Sequence, residues 1–125
     1  MNVLVHGIDM VDILRFKAMV EDERDEILAR CFSSKEIEAA GKPGNEHRLA
    51  GWFAVKEAIL KALGYGFSND LAFADIEVTH NELGAPKVNL VGSCLEVSNR
   101  AGIKSWLVSI SHTDSNAIAS VIGTT

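Results

Sequence analysis

Two charged side chains lie on one helix-like stretch at a spacing that suits phosphate chemistry. The stretch FAVKEAILKALGYG, residues 53–66, carries Glu57 and, one helical turn later, Lys61. Most pairs at this spacing are surface ion pairs worth about 0.2–0.5 kcal/mol. A carboxylate can instead hold a hard cation, an ammonium can neutralise phosphate oxygens, and Gly64 and Gly66 let backbone N–H groups approach a ligand. The helix end is therefore a candidate metal–phosphate site, with a surface ion pair as the alternative.

Asp9 is a second candidate metal ligand. It directly follows the apolar stretch NVLVHGI, residues 2–8. Mg²⁺ is usually held by one or two carboxylates, and substrate phosphates and waters complete its shell. Aspartate is also common at strand ends and helix caps. One aspartate alone does not separate a metal ligand from a turn residue.

The segment SISHTD, residues 109–114, places His112 at a predicted hairpin tip. Histidine, threonine, aspartate and serine together are typical of a turn. A Ser-His-Asp hydrolase is disfavoured, because the chain has no GxSxG elbow and these three residue types lie too close in sequence to indicate a triad. The residues alone therefore favour a turn.

Basic side chains gather around the first predicted helix, although the whole chain is acidic. The formal net charge is −5, which disfavours sequence-independent nucleic-acid binding. Arg15, Lys17 and Arg24 form either a solvated face or a surface that attracts an acidic partner.

Length and composition predict one domain spanning residues 1–125, with 47% hydrophobic residues to build a core. Cys31 and Cys94 show no metal-binding spacing and are expected to be free thiols. The start lacks a basic signal-peptide region, and no apolar run is long enough to span a membrane. We therefore expect a soluble, cytoplasmic protein without membrane or nucleic-acid partners.

Helix and strand signals occur in separate blocks joined by turns, which predicts an α+β fold with a mainly antiparallel sheet packed against a long helix and shorter helices. The predicted elements are a strand at 2–8, a helix capped by Asp12, a helix near 22–31, a helix opened by a Ser33–Glu36 capping box, a long helix at 46–63 capped by Asn45 and ended by Gly64, a hairpin of 75–80 and 87–91, a helix opened by a Ser93–Glu96 capping box, and a hairpin of 104–111 and 117–123.

Three segments together resemble one known family. GIDMVDILRF at 7–16, FAVKEAILKALGYG at 53–66 and VSISHTDSNAIASVI at 108–122 resemble the holo-acyl-carrier-protein synthases, the small 4′-phosphopantetheinyl transferases. The most specific part is F-x-x-K-E-A-x-x-K-A-x-G, beginning at Phe53, and GFSNDLAFADIEV and NELGAPKV between the segments also look like this family. The resemblance covers nearly the whole chain and implies the fold of these transferases.

The resemblance implies a reaction and its ligands. The phosphopantetheine arm of coenzyme A is transferred to a serine of apo-acyl carrier protein, usually for fatty-acid synthesis, and adenosine 3′,5′-bisphosphate leaves. It further implies Mg²⁺ bound by Asp9 and Glu57, and a phosphate contact from Lys61. The serine proton acceptor is either Glu57 or a water held by the metal or another carboxylate.

The resemblance also implies contacts outside this centre. The Gly64–Gly66 loop borders coenzyme A, His112 matches a histidine found in many members, and Arg15 matches a basic residue that meets the carrier protein. A homotrimer with active sites between subunits is implied as well.

Two positions depart from the family pattern. Trp52 replaces a basic residue that serves the 3′-phosphate of coenzyme A in many relatives, and Asn116 stands where relatives often have an aromatic residue. Arg48 or His47, about one turn before Trp52, is expected to take over the phosphate contact. The Trp52 change is the one support for an alternative function, a trimeric coenzyme A or carrier-protein binding module without turnover.

Lys56 interrupts an apolar stripe of the long helix. Leu49, Phe53 and Leu60 belong to this stripe, at about 100° per residue. We predict that the ammonium of Lys56 lies near a carboxylate, a phosphate or water, and that it reaches an interfacial cleft while its stem packs on the stripe.

Overall fold

The computed structural model describes residues 1–65 and 71–125, so Gly66 lies outside the described residues. It has the α+β arrangement expected from the sequence. The elements in chain order are β1 Val3–Asp12, α1 Ile13–Asp22, α2 Arg24–Cys31, α3 Ser34–Ala40, α4 Glu46–Ala62, a 3-10 turn Phe73–Asp75, β2 Ile76–His80, β3 Pro86–Leu90, α5 Gly92–Arg100, β4 Ser105–His112 and β5 Asn116–Thr124. Among the described residues, no helix is both long and apolar enough to cross a membrane.

The strands form two antiparallel sheets. The larger sheet has the order β1-β5-β4, and β2 and β3 form a separate hairpin. Helix α4 packs closely on β1, since a Cβ at Gly7 would lie 2.0 Å from the carbonyl oxygen of Ala58. Gly7 thus allows β1 to approach α4, and this approach brings Asp9 beside the last turns of the helix.

Helix α4 is the central helix of the fold, which corrects the expectation of a single apolar stripe. Leu49, Val55 and Ile59 are all fully buried. The helix contacts β1 and β5 of the larger sheet and also α1, α3 and β2, so most of its circumference is enclosed. The polar exceptions include His47, Arg48, Glu57 and Lys61, which keep some access to solvent.

The predicted helix caps are confirmed in part. The Asp12 carboxylate accepts the Arg15 N–H at 3.0 Å, and the Ser33–Glu36 capping box is present. Gly64, at φ +84°, follows the end of α4. Asn45 precedes α4 without a side-chain cap.

The Ser93–Glu96 capping box is wrong, because α5 begins before Ser93. Its first residue is Gly92, which adopts φ +56°, and Val91 precedes it without a side-chain cap. A Cβ at Gly92 would lie 2.7 Å from an Asp75 carboxylate oxygen. The tight turn at glycine therefore replaces the serine cap.

The Lys56 ammonium lies in the core and is completely hydrogen-bonded to protein. It donates to Glu36 Oε1 at 2.7 Å and to the carbonyl oxygens of Phe73 and Ile76 at 3.1 and 2.5 Å. The other Glu36 oxygen accepts the Val78 N–H at 2.8 Å. The prediction of a neighbouring carboxylate is confirmed.

The expectation that Lys56 reaches an interfacial cleft is wrong, because its side chain is 0% exposed. Burial lowers the pKa of Lys56 from its ordinary value, and the adjacent Glu36 carboxylate opposes that shift. The ammonium therefore serves to join α3, the 3-10 turn and β2 to the central helix.

Candidate active site

Four of the predicted functional residues line one open cleft between β1, α1 and α4. Asp9 comes from β1, Arg15 from α1, and Glu57 and Lys61 from the last turns of α4. The cleft has a volume of about 460 Å³. We call it the β1–α4 cleft. The strand and the helix carry residues far apart in sequence to a common opening.

Lys61 forms its ion pair with Asp9, across the cleft, rather than with Glu57 on its own helix. Its Nζ donates to Asp9 Oδ1 at 2.5 Å and lies 3.4 Å from the Ile8 carbonyl oxygen. The Lys61 side chain is 42% exposed and that of Asp9 is 13% exposed. The alternative of a Glu57–Lys61 surface pair is therefore not what the structure forms, and the ammonium remains accessible to a ligand.

Glu57 is half-buried beside this pair, and its environment disfavours its negative charge. Burial raises the pKa of Glu57, the Asp9 charge raises it further, and Lys61 lowers it. A cation bound by both carboxylates would offset the cost of burying the Glu57 charge and would reduce the repulsion from Asp9. The cleft thus concentrates negative charge where a positive ligand is favoured.

The side chains of the β1–α4 cleft fit a magnesium ion. Mg²⁺ prefers oxygen ligands and often takes only one or two carboxylates, leaving positions for water and phosphate oxygens. Asp9 and Glu57 supply two carboxylates in a cleft that is open to such ligands. Within residues 1–65 and 71–125, no group of three or more His, Cys, Asp or Glu side chains is placed to hold a metal. The pair matches a shared protein–substrate metal site better than an all-protein cage.

The basic group expected around α1 is reduced to Arg15. Lys17 forms an ion pair with Glu21, one turn along the helix, with 3.9 Å between Lys17 Nζ and Glu21 Oε1. Arg24 is half-buried and donates to the Gly41 carbonyl oxygen and to Glu46 Oε1, the latter at 3.3 Å. Arg15 is exposed at the β1–α4 cleft, so it alone of the three basic residues combines exposure with a place at the candidate site.

Arg48 and His112 line a different cleft, of about 340 Å³, between the first half of α4, the β2–β3 hairpin and β4. We call it the α4–hairpin cleft. The His47 and His112 rings pack edge to face, with 5.9 Å between the ring centres. Arg48 precedes Lys61 by thirteen residues on α4, which is about 20 Å along the helix. The predicted residues therefore separate into two clefts of one chain.

His80, which no sequence pattern singled out, also lines the α4–hairpin cleft. The indole N–H of Trp52 donates to His80 Nε2 at 3.0 Å. The available signal was the position of His80 at the end of a predicted strand and just before the turn NELG. Gly64 lies at the exposed C-terminal end of α4, which is consistent with the predicted ligand-bordering loop, while Gly66 is outside the described residues.

Comparison with known proteins supports the resemblance seen in the sequence. The family model of the 4′-phosphopantetheinyl transferase superfamily matches residues 6–121. A holo-[acyl-carrier-protein] synthase of Clostridium tetani is 44% identical over 115 residues, covering 90% of this chain and 89% of the relative. That of Geobacter sulfurreducens is 38% identical over 117 residues, covering 93% of each chain.

Solved structures give the same result. Helicobacter pylori holo-[acyl-carrier-protein] synthase in complex with coenzyme A has a TM-score of 0.83 and 34% identity, covering 95% of this chain and 99% of that one. The chain therefore belongs to the 4′-phosphopantetheinyl transferase superfamily. Within it, these relatives are holo-[acyl-carrier-protein] synthases, so the family inferred from the three sequence segments is confirmed.

Proposed function

We propose that this protein transfers the 4′-phosphopantetheine group of coenzyme A to a serine of apo-acyl carrier protein and releases adenosine 3′,5′-bisphosphate. The observation that carries this proposal is the convergence of Asp9, Glu57 and Lys61 in the β1–α4 cleft. Phosphoryl transfer depends chiefly on positioning and charge neutralisation, and these three side chains offer both.

Asp9 and Glu57 would hold Mg²⁺, and the bound ion would supply positive charge to stabilise the pyrophosphate of coenzyme A and the leaving bisphosphate. Lys61 neutralises phosphate oxygens from the same side and exchanges its Asp9 contact for the ligand. Glu57 accepts the serine proton directly, or a water held in the cleft does so. In either case, the Glu57 carboxylate must be ionised for the reaction.

The direct test measures the mass of the carrier. Apo-acyl carrier protein is incubated with the protein, coenzyme A and Mg²⁺ and then weighed by mass spectrometry. We expect the mass to increase by one phosphopantetheine group, and omission of the divalent ion should abolish the increase. Coenzyme A binding without any mass increase would support the alternative of a trimeric binding module.

We also propose that three copies assemble into a homotrimer whose active sites lie between subunits. The outer face of the larger sheet supports this proposal, because it exposes four large apolar side chains that are 37–65% exposed. The strand registers place them on the same face: Ile8, Met10, Leu107 and Ile118. In such a trimer, Arg48 and His112 of one subunit bind coenzyme A beside Asp9 and Glu57 of the next.

Complementation tests this arrangement. Asp9→Asn and Arg48→Gln each impair one cleft, and an equal mixture is unfolded and refolded together. If each active site takes Asp9 from one subunit and Arg48 from another, about a quarter of the sites are intact. Recovery of about a quarter of wild-type activity is expected, whereas no recovery would place both residues of a site in the same subunit or exclude the assembly.

A second test removes the apolar contact surface itself. Leu107→Glu places a charge on the exposed face of the larger sheet, and light scattering on this variant should show monomers.

We place the reaction in the cytoplasm and assign carrier proteins of fatty-acid synthesis as acceptors. Support for a reducing compartment comes from Cys31 and Cys94, which are both free thiols. The predicted contact of Arg15 with the acidic carrier protein is consistent with its exposure beside the β1–α4 cleft.

A further inference from the structure

The Trp52 indole connects two walls of the α4–hairpin cleft. Trp52 lies on α4 and is only 3% exposed. Its N–H donates to His80 Nε2 at 3.0 Å, and the other His80 nitrogen, Nδ1, lies 3.0 Å from the Gly84 carbonyl oxygen. Trp52 therefore holds the end of β2 against the central helix, and His80 in turn contacts the following turn.

These two hydrogen bonds determine the protonation state of His80. A carbonyl oxygen can only accept, so Nδ1 carries the proton that is donated to Gly84. An indole N–H can only donate, so Nε2 of His80 is the acceptor and carries no proton. The ring is neutral while both bonds persist, and His80 adds no positive charge to the cleft.

Arg48 supplies that charge, and Trp52 holds it in place. The Arg48 guanidinium carbon lies 5.1 Å from the centre of the Trp52 ring, which is a cation–π contact. Arg48 is the sole arginine or lysine among the described residues that line the cleft. No carboxylate of the described residues lies within ion-pair distance of its guanidinium. The cation is thus oriented by a ring rather than neutralised by an acid.

Coenzyme A has two anionic parts, a pyrophosphate and a 3′-phosphate monoester. The proposed function assigns the pyrophosphate to Asp9, Glu57 and Lys61, which leaves the 3′-phosphate for a second cationic cleft. We propose that Trp52 is a positioning residue that sets the preference for 3′-phosphorylated coenzyme A by fixing the Arg48 guanidinium. This inference rests on the proposed function, because it takes coenzyme A as the ligand and needs a neighbouring subunit of the proposed homotrimer to bring the two clefts together.

The test compares the dissociation constants of coenzyme A and 3′-dephospho-coenzyme A by calorimetry. We expect wild type to prefer coenzyme A, and Trp52→Leu to lose about tenfold in affinity for coenzyme A. Affinity for the dephosphorylated ligand should change less than about twofold, since it lacks the group that Arg48 meets. Trp52→Phe retains a ring under Arg48 and should keep most of the preference.

Two controls separate positioning from general loss of structure. Trp106→Leu removes the other tryptophan, whose N–H donates to Ser98 Oγ at 3.2 Å outside this cleft, and should leave the preference unchanged. In an Arg48→Gln protein the preference should be absent, and adding Trp52→Leu should change nothing further. Equal weakening of both ligands by Trp52→Leu, or the same effect in the Arg48→Gln protein, would overturn the proposal.

Fluorescence keeps the test decisive if Trp52→Leu does not fold. The chain has two tryptophans, so Trp106→Phe leaves Trp52 as the only one. Coenzyme A should change its emission by drawing the guanidinium toward the phosphate, and 3′-dephospho-coenzyme A should not. An equal change with both ligands contradicts the proposal. Because binding is measured without turnover, a protein that binds as expected but transfers nothing would overturn the proposed function and leave this inference intact.

Discussion

Two lysines on the same helix form ion pairs of opposite character. Lys56 pairs with Glu36, and these side chains are 0% and 1% exposed. Lys61 pairs with Asp9, and these are 42% and 13% exposed. Lys56 has three hydrogen-bond acceptors from protein within 3.1 Å, while Lys61 opens to a cleft. Lysine therefore stabilises the fold at position 56 and remains available to a ligand at position 61.

The difference lies in what replaces water around each charge. Burying an ammonium is unfavourable unless a carboxylate and further acceptors surround it, as they surround Lys56. An exposed pair contributes little to folding, with measured values of about 0–1 kcal/mol. Lys61 can therefore exchange Asp9 for a phosphate at small cost to the fold. We expect variants of the two pairs to affect different measurements.

The largest expected effect is on stability, in Lys56→Met. This change leaves Glu36 buried without its cation, and the free energy of unfolding should fall by about 3–5 kcal/mol. Urea denaturation followed by circular dichroism measures it. The double variant Lys56→Met/Glu36→Gln removes both charges and should recover part of the loss. A loss below about 1 kcal/mol in the single variant would contradict the structural role of the pair.

The next effect is on transfer activity, in Glu57→Gln. Losing this proposed metal ligand should reduce transfer by about a hundredfold to a thousandfold. The free energy of unfolding should change by less than about 0.5 kcal/mol, because the neutral side chain also relieves the burial of charge and the repulsion from Asp9 that raise the pKa of Glu57. Asp9→Asn is the matched variant on β1. Wild-type rates at limiting Mg²⁺ in either variant would refute the metal assignment.

Lys61→Gln should show an intermediate effect and completes the comparison of the lysines. Loss of the charge that we propose neutralises phosphate oxygens should lower transfer by about tenfold to a hundredfold. Unfolding free energy should fall by about 1 kcal/mol or less, since the pair with Asp9 is partly exposed. If Lys61→Gln instead destabilised the protein as much as Lys56→Met, the proposed division between the two pairs would be incorrect.

The same contrast explains what the sequence could predict. Glu57 and Lys61 were recognisable as candidates because their types and local spacing carry chemistry, whereas Asp9 needed the family resemblance, and the cleft brings the three together. The Glu36 partner of Lys56 was not recognisable, because it lies on another helix, twenty residues earlier. Pairing across helices depends on tertiary packing, which local periodicity does not encode.

Tertiary packing also accounts for the remaining differences between the sequence-based predictions and the structure. Helix periodicity predicted one apolar stripe, but α4 is enclosed by both helices and strands, and residues such as Ala54 and Ala58 became core as well. The apolar stretch at residues 2–8 predicted a strand of that length. The observed β1 continues to Asp12, because β5 pairs with it along its whole length. The division of Arg48 and Lys61 between two clefts follows from the length of α4, which a residue list does not show.

The smallest expected effect concerns Arg15, at the rim of the β1–α4 cleft. Arg15→Gln should lower kcat/KM for the acidic carrier protein about three- to tenfold at low salt, because a rim charge chiefly accelerates association. The difference should shrink as salt is raised, since screening weakens attraction between exposed charges. Lys17→Gln is the matched control, because Lys17 lies on the same helix but pairs with Glu21. Equal effects of both changes would mean that net charge, rather than the position of Arg15 beside the cleft, attracts the carrier.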